Sequence, residues 1–241
     1  MANPLEQFTV KPLIEIPVGA FDAHFTNSAL FMTLAVVAAT AFFTLGMRGR
    51  ALVPTRWQSL AELAYEFIAD MVRDNVGAEG RKYFPVIFTI FMFILFGNLL
   101  GLIPYGFTFT SHIIVTFSMA IVVFIGVTLV GLAKHGLHFF SFFVPPGVPA
   151  VMTPLLVPIE VVSYLSRPVS LSIRLFANMM SGHTMLKVFA GFVVPLGLLA
   201  GWAPLFVGVA LTGFEFLVAF LQAYVFTVLT CLYLSDAIHL H

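Results

Sequence analysis

Charge is what this chain has least of. Of its 241 residues only 9% are Asp, Glu, Lys or Arg, against 60% hydrophobic, where a soluble domain would be about a quarter charged. Too few ionisable groups remain to clothe a water-exposed surface, so the chain reads as an all-α polytopic membrane protein. The 11 basic and 11 acidic residues cancel, and nothing in the balance points to nucleic acid as a partner. Cysteine is nearly absent. Cys231 stands alone in an apolar run, so no internal disulfide can form and the residue reads as a small core side chain. Residues 1–27 lack a basic start followed by an apolar stretch, so no cleavable signal is expected. Also missing are a phosphate-binding loop, a nucleophile with a base at recognisable spacing, and a zinc-helix motif. An intramembrane protease or lipid hydrolase would need such a set, so the chain is expected to have no catalytic site of its own. His135 with His138, and His239 with His241, lack an accompanying Cys or carboxylate and read as solvated loop and tail residues. Neither metal nor cofactor is expected.

Long apolar runs are what the sequence has instead. Residues 1–27 are polar and turn-rich, with Pro4, Pro12 and Pro17, and read as a tail. Residues 28–47 form a first span, long enough for a hydrocarbon core of about 30 Å, ending near the basic residues Arg48, Arg50 and Arg56. Residues 55–76 differ. Trp57, Leu60, Ala64, Phe67, Ile68 and Met71 make one apolar stripe, and Glu62, Glu66, Asp70 and Asp74 occupy the other face. Thr55 with Gln58 after Pro54 predicts a capped start. A helix so divided lies on a membrane surface or against a partner, and its acidic face suits the partner better.

A second span is predicted over residues 83–103, closed by Pro104, and a third over 111–133, followed by Lys134 and His135. Gly97 and Gly101 flank Asn98 in the second; the glycines permit close helix contact, and Asn98 needs a hydrogen-bond partner. The proline-rich stretch 142–158 predicts an irregular or re-entrant approach. Two apolar segments follow, 152–189 and 204–234, joined by a turn around 195–201, and residues 235–241 form a short tail. At 1.5 Å per residue these segments would be about 57 Å and 46 Å long, well beyond the hydrocarbon thickness. Strong tilt, a break at Pro168 or emergence into water would each reconcile them with a bilayer; the scarcity of charge in the overhang favours a strongly tilted hairpin. The single membrane domain thus has about five spanning helices and one amphipathic surface helix. With the N-terminus outside, Arg48, Arg50, Arg56, Arg73, Arg81, Lys82 and Lys134 all fall inside, as the positive-inside rule asks, and the C-terminus is inside by parity.

Within the first long segment the polar residues are ordered. Glu160, Ser163, Arg167, Ser170, Arg174, Asn178 and Ser181 succeed one another at steps of three or four, a single stripe on one helical face. Ionisable groups at membrane depth cost about 2.5–3.5 kcal/mol each on insertion scales and mark functional sites. Such a stripe must face protein or water. Arg174, deep in the segment and permanently charged, is a fixed positive site and no proton carrier. Arg167, beside Pro168 and nearer the inner end, reads equally as a snorkelling side chain or one half of a structural pair. His183, nine residues past Arg174, falls on the opposite side of a straight helix. In the last segment Glu215 and Gln222 lie two turns apart on one face, and a buried Glu without a charged neighbour must be neutral, paired or hydrated. Glu215 is therefore expected to meet His183 across the hairpin, leaving Arg174 to face a different partner.

The run SRPVSLSIRLFANMMSGH, with FGNLLGLIP before it and GFEFLVAFLQAYVFTVL after it, resembles subunit a of F-type ATP synthases, and the order of elements agrees over nearly the whole chain. The resemblance implies that Arg174 is the stator arginine and that Asn178, His183, Glu215 and Gln222 occupy proton-channel positions. Glu160, Ser163, Ser170 and Asn98 are further candidates for lining a hydrated path. The order His183 then Glu215 is similar to the mitochondrial pattern, and Gly101 departs from members that have an acid there. The implied fold lays the last two helices almost flat in the membrane, curved around a rotating ring of c subunits.

The implied function is proton translocation through two aqueous half-channels separated by Arg174, coupled to ring rotation and ATP synthesis. The implied partners are the c-ring, b-type peripheral-stalk subunits, the rest of the synthase and the lipid bilayer. The implied location is a bacterial inner membrane rather than a mitochondrial one. A stand-alone proton or cation transporter is the alternative. It would need a binding carboxylate of its own near Arg174 and usually an internal repeat, and the sequence has no visible repeat.

Overall fold

The computed structural model describes residues 8–14, 17–18, 21–22, 24–48, 54–103, 106–144 and 152–239. Pro4, Arg50, Pro104, His241 and residues 145–151 of the proline-rich approach lie outside them. Among the described residues, those from Asn27 onward are mainly helical. Ahead of that, the expected tail contains two short antiparallel pairings: β1 (Pro12–Ile14) with β4 (Phe25–Thr26), and β2 (Pro17–Val18) with β3 (Phe21–Asp22). Asn27 ties this hairpin to the first helix. Its Nδ2 donates to the Thr9 carbonyl and its Oδ1 accepts from the Lys11 amide, each at 3.1 Å.

Helix α1 (Asn27–Gly46) starts where the Thr26 hydroxyl accepts the Ala29 amide. Helix α2 (Arg56–Val76) is the amphipathic element, capped by Thr55 accepting from Gln58 N, as the sequence predicted. It stops at Gly77, whose φ of 81° is open to glycine at little cost. Its buried face runs through Ala61, Ile68, Met71, Val72 and Val76 and packs on two later helices of the chain, Phe84–Gly101 and Trp202–Ile238. Trp57 and Leu60, at the start of the apolar stripe, are 67% and 53% exposed, as a face for a membrane surface or a partner would be. The first half of the helix meets the end of α1, where the Phe42 ring lies 6.3 Å from that of Trp57, and its other flank is left open.

A 3₁₀ turn (Ala78–Lys82) leads into α3 (Phe84–Gly101), and another (Phe109–Ser111) leads into α4 (Ile113–His135). The glycines of α3 do not bring two helices together as expected. A Cβ at Gly97 would strike the Phe109 ring, and one at Gly101 would strike the Thr108 hydroxyl. They are the seats on which the short turn after α3 rests. After α4 the chain continues in 3₁₀ form through Gly136–Phe143, an aromatic knot in which Phe139, Phe142 and Phe143 surround Tyr164.

Helix α5 (Thr153–Val193) has 41 residues and α7 (Trp202–Ile238) has 37, with a single turn α6 (Gly197–Ala200) between them. At 1.5 Å per residue they are about 62 and 56 Å long. Pro168 does not break α5: the helix passes through both Pro158 and Pro168, the latter buried. Among the described residues four helical stretches, 27–46, 84–101, 113–140 and 202–238, are long and apolar enough to cross a bilayer. Helix α5 has the length but is interrupted by its polar stripe.

In lipid no hydrophobic transfer drives helix against helix, so close packing of small residues and internal hydrogen bonds must do so. Ala219 and Ala223, one turn apart on α7, are fully buried, as is Cys231 below them. Around them Ile68, Phe91, Ile94, Leu175, Met179 and Phe226 close the core.

Candidate functional site

Helix α5 separates two polar systems. The inward one joins α5, α7 and the turn before α4. Glu215 is 3% exposed and His183 9%. The His183 Nδ1 lies 3.8 Å from Glu215 Oε1, within ion-pair reach but too far for a hydrogen bond. The other ring nitrogen, Nε2, is 2.9 Å from the Thr108 hydroxyl. Both carboxylate oxygens of Glu215 are buried without a hydrogen-bond partner. A buried carboxyl in that state must be neutral or stand opposite a cation, and the imidazole beside it is able to take up or release the proton that decides which. Gly182 makes the approach possible, because a Cβ there would overlap Glu215 Oε1.

Asn98 sits next to this pair in the fold and is 0% exposed. Its Nδ2 donates to the Ala219 carbonyl at 3.2 Å, and its Oδ1 accepts from the Thr110 hydroxyl at 2.7 Å. The partner that the sequence demanded for Asn98 is thus the α7 backbone one turn beyond Glu215. Ser111 turns its hydroxyl back to the Thr108 carbonyl at 2.6 Å, which fixes the turn that presents Thr108 to His183.

The outward system is the stripe on α5. Ser163, Ser170, Arg174 and Ser181 are exposed on the chain's outer surface, with Glu160, Arg167 and Asn178 half-buried along it. The buried residues of the same helix (Tyr164, Pro168, Leu171, Ser172, Leu175, Met179 and His183) form the other side. Among the described residues no carboxylate lies within ion-pair distance of Arg174. A permanent charge on the outside of an apolar helix, flanked by exposed Val169 and Ile173, has no place in lipid. Gln222, two turns past Glu215, is half-buried.

Arg167, for which the sequence left two readings, is paired. Its Nη1 lies 2.9 Å from Asp236 Oδ2 at the end of α7. The guanidinium also lies over the rings of Tyr233, Tyr164 and Phe142, at 4.9, 5.3 and 5.6 Å from their centroids. The N-terminal half of α5 is clamped there to the C-terminal end of α7.

Sequence reasoning missed Thr108, Thr110, Gly182 and Asp236. A signal existed for the hydroxyls: Thr108, Thr110 and Ser111 cluster within four residues of a chain poor in polar groups. Gly182 and Asp236 offered none, since their roles depend on the opposite helix. Among the described residues no group of three His, Cys, Asp or Glu side chains gathers for a metal. His135 Nε2 instead meets the Ile238 carbonyl at 3.0 Å.

Comparison with known proteins follows the same outline. The family described as ATP synthase A chain matches residues 29–235. ATP synthase subunit a of Paramagnetospirillum magneticum is 58% identical over 247 aligned residues, covering 100% of both chains. Its counterpart in Rhodospirillum rubrum is 57% identical over 241, again covering 100% of both. That of Pelagibacter ubique is 57% identical over 240, covering 99% of this chain and 98% of the other.

Proposed function

This chain belongs to the ATP synthase subunit a family, and we propose that Arg174 separates two aqueous half-channels through which it feeds protons to a ring of c subunits. As a member of that family it is a proton-channel subunit in the membrane sector of a bacterial F-type ATP synthase. The observation that carries the finer reading is the division of α5. Its buried side holds the His183–Glu215 pair, while its outer side offers Arg174 to whatever covers the chain. A moving carboxylate on a neighbouring ring supplies the counter-charge that the exposed guanidinium lacks within its own chain.

In this reading protons enter from the outer side past Glu215 and His183, with Asn178 and Gln222 along the way, and protonate a ring carboxylate. After nearly a full turn the carboxylate releases its proton to the inner half-channel, which Glu160, Ser163 and Ser170 help to hydrate. Arg174 favours the ionised carboxylate as it passes and blocks direct flow between the channels. The membrane potential supplies about 2.3 kcal/mol per charge per 100 mV. Asn98, enclosed and doubly hydrogen-bonded, holds the outer pathway's scaffold in register. The exposed first half of α2, with Trp57, Leu60, Leu63 and Tyr65, suits a b-type stalk subunit at the inner surface. The transporter alternative needs a carboxylate of this chain beside Arg174, and no described residue supplies one.

The test is Arg174→Ala in membrane vesicles. ATP-driven pumping should be lost, while vesicles stripped of the catalytic head should leak protons, and a reagent that blocks the ring carboxylate should stop the leak. Retained pumping would overturn the assignment; a leak insensitive to the reagent would mean that protons bypass the ring.

A further inference from the structure

Away from the proton path, a pocket of about 450 Å³ opens where α3 begins and α4 ends. Pockets of roughly 300–1,000 Å³ are the size that holds small ligands. This one has two kinds of wall. Its lip is made by Glu79 and Lys82 of the 3₁₀ turn, by Tyr83, and by Lys134 in the last turn of α4; its floor is Leu129, Val130 and Ala133 of α4. The lip lies at the end of two membrane-spanning helices and the floor on the flank of one of them, with Leu129 60% exposed.

The charges at the lip do not balance. Lys134 forms an ion pair with Glu79, and that hydrogen bond, together with the ammonium charge, holds the Glu79 carboxyl below its ordinary range. Lys82 lines the same pocket, is exposed, and among the described residues has no carboxylate within ion-pair distance. One carboxylate therefore faces two ammonium groups beside a tyrosine at the interface, the level where aromatic rings with a polar tip settle. An anion shared by Lys82 and Lys134 would remove the excess. The apolar floor requires that anion to be joined to hydrocarbon, and a zwitterionic headgroup would bring a second cation against Lys82.

We propose that this pocket binds an anionic phospholipid, its phosphate between Lys82 and Lys134 and an acyl chain along Leu129, Val130 and Ala133. The inference rests on the membrane placement of α3 and α4 and is independent of how protons move. Basic pockets between helices on the inner side of a membrane bind lipid headgroups of this kind.

The experiment places a photoreactive benzophenone side chain at position 129 in the full complex, reconstituted in vesicles of equal phosphatidylglycerol and phosphatidylcholine. The lipid adducts are then weighed by mass spectrometry. The expected result is a ratio of phosphatidylglycerol to phosphatidylcholine adducts about fivefold above the bulk ratio of the two lipids, the equivalent of about 1 kcal/mol for one lysine near the surface. Lys82→Ser should return the ratio towards the bulk composition, and Lys82→Arg should keep the excess. Inorganic phosphate added in excess should not displace the lipid. Adducts in the bulk ratio from the unaltered lysines, or an excess indifferent to Lys82→Ser, would overturn the proposal. Loss of the excess to free phosphate alone would also overturn it, by making the site one for a soluble anion. ATP-driven pumping measured on the same vesicles shows that the complex is intact, so a failed lipid site and a failed proton path are read separately.

Discussion

Gly182 and Glu215 meet across the hairpin with no room for a side chain between them: a Cβ on Gly182 would occupy the place of the Glu215 carboxylate oxygen. The Glu215 carboxyl of α7 is thus seated against the backbone of α5, one residue before His183. Adding a methyl group to Gly182 must push the carboxyl away from the imidazole or part the helices, at the cost of about 1–3 kcal/mol typical of overpacking. Gly182→Ala should lower passive proton flux severely while leaving the complex assembled. Glu215→Asp in the same chain should recover part of the flux, because the shorter acid withdraws by one methylene. Flux at full wild-type rate in Gly182→Ala would show that the carboxyl is not held there.

Glu215 and His183 should behave as one unit. Residues in contact couple in double-mutant cycles, whereas distant ones add. Glu215→Leu and His183→Leu should each depress proton flux, and the double variant should be little worse than the poorer single one. Strict additivity in a dye-monitored flux assay would assign them to separate paths.

Thr108 should matter through His183. Its hydroxyl is 2.9 Å from Nε2, so Thr108→Val removes the hydrogen bond at nearly constant shape, a loss of about 0.5–1.5 kcal/mol. Flux should fall by several-fold and its pH profile should shift, while Thr108→Ser should restore both. A change in rate with no change in pH profile would make Thr108 a packing residue only.

The Arg167–Asp236 clamp should be worth more than an exposed pair. Surface ion pairs contribute at most about 1 kcal/mol, but here three rings surround the guanidinium, and cation–π contacts add about 0.5–1 kcal/mol each at accessible sites. Arg167→Lys keeps the charge but loses the planar stacking. It should lower thermal stability by about as much as Asp236→Asn does. A charge exchange, Arg167→Asp with Asp236→Arg, should recover only part of the loss, because the rings stay where they are. Full recovery in a thermal melt would mean that the rings contribute nothing.

The Glu79–Lys134 pair should leave its mark on the acid side. Because the folded chain holds the Glu79 carboxyl below its ordinary value, folding is favoured by the ionised form. That stabilisation is fully present above the unfolded pKa and is lost as pH falls through the folded one. The difference in melting temperature between wild type and Glu79→Gln should therefore be constant near neutrality and shrink below about pH 4.5. A difference that grows on acidification would reverse the assignment.

Spans, amphipathic helix and polar stripe were legible in the chain because they depend on composition and period alone. A run of apolar residues must be helical to satisfy its backbone in lipid. Steps of three and four put Arg174 and His183 on opposite sides of α5 wherever the helix lies, and the structure keeps them apart. Period, however, fixes a face and says nothing of height. Thr108 meets His183 across 75 residues of sequence, and Asn98 reaches the Ala219 carbonyl across 121. Both depend on how far one helix slides along another, which the seats at Gly97, Gly101 and Gly182 decide by admitting Phe109, Thr108 and Glu215. The same is true of Arg167, whose two sequence readings were resolved when α7 brought Asp236 beside it. Pro168 was the opposite case. A break there was one of three readings open to the sequence, and the helix runs on, because the packing that buries Pro168 against its neighbours outweighs one missing backbone hydrogen bond.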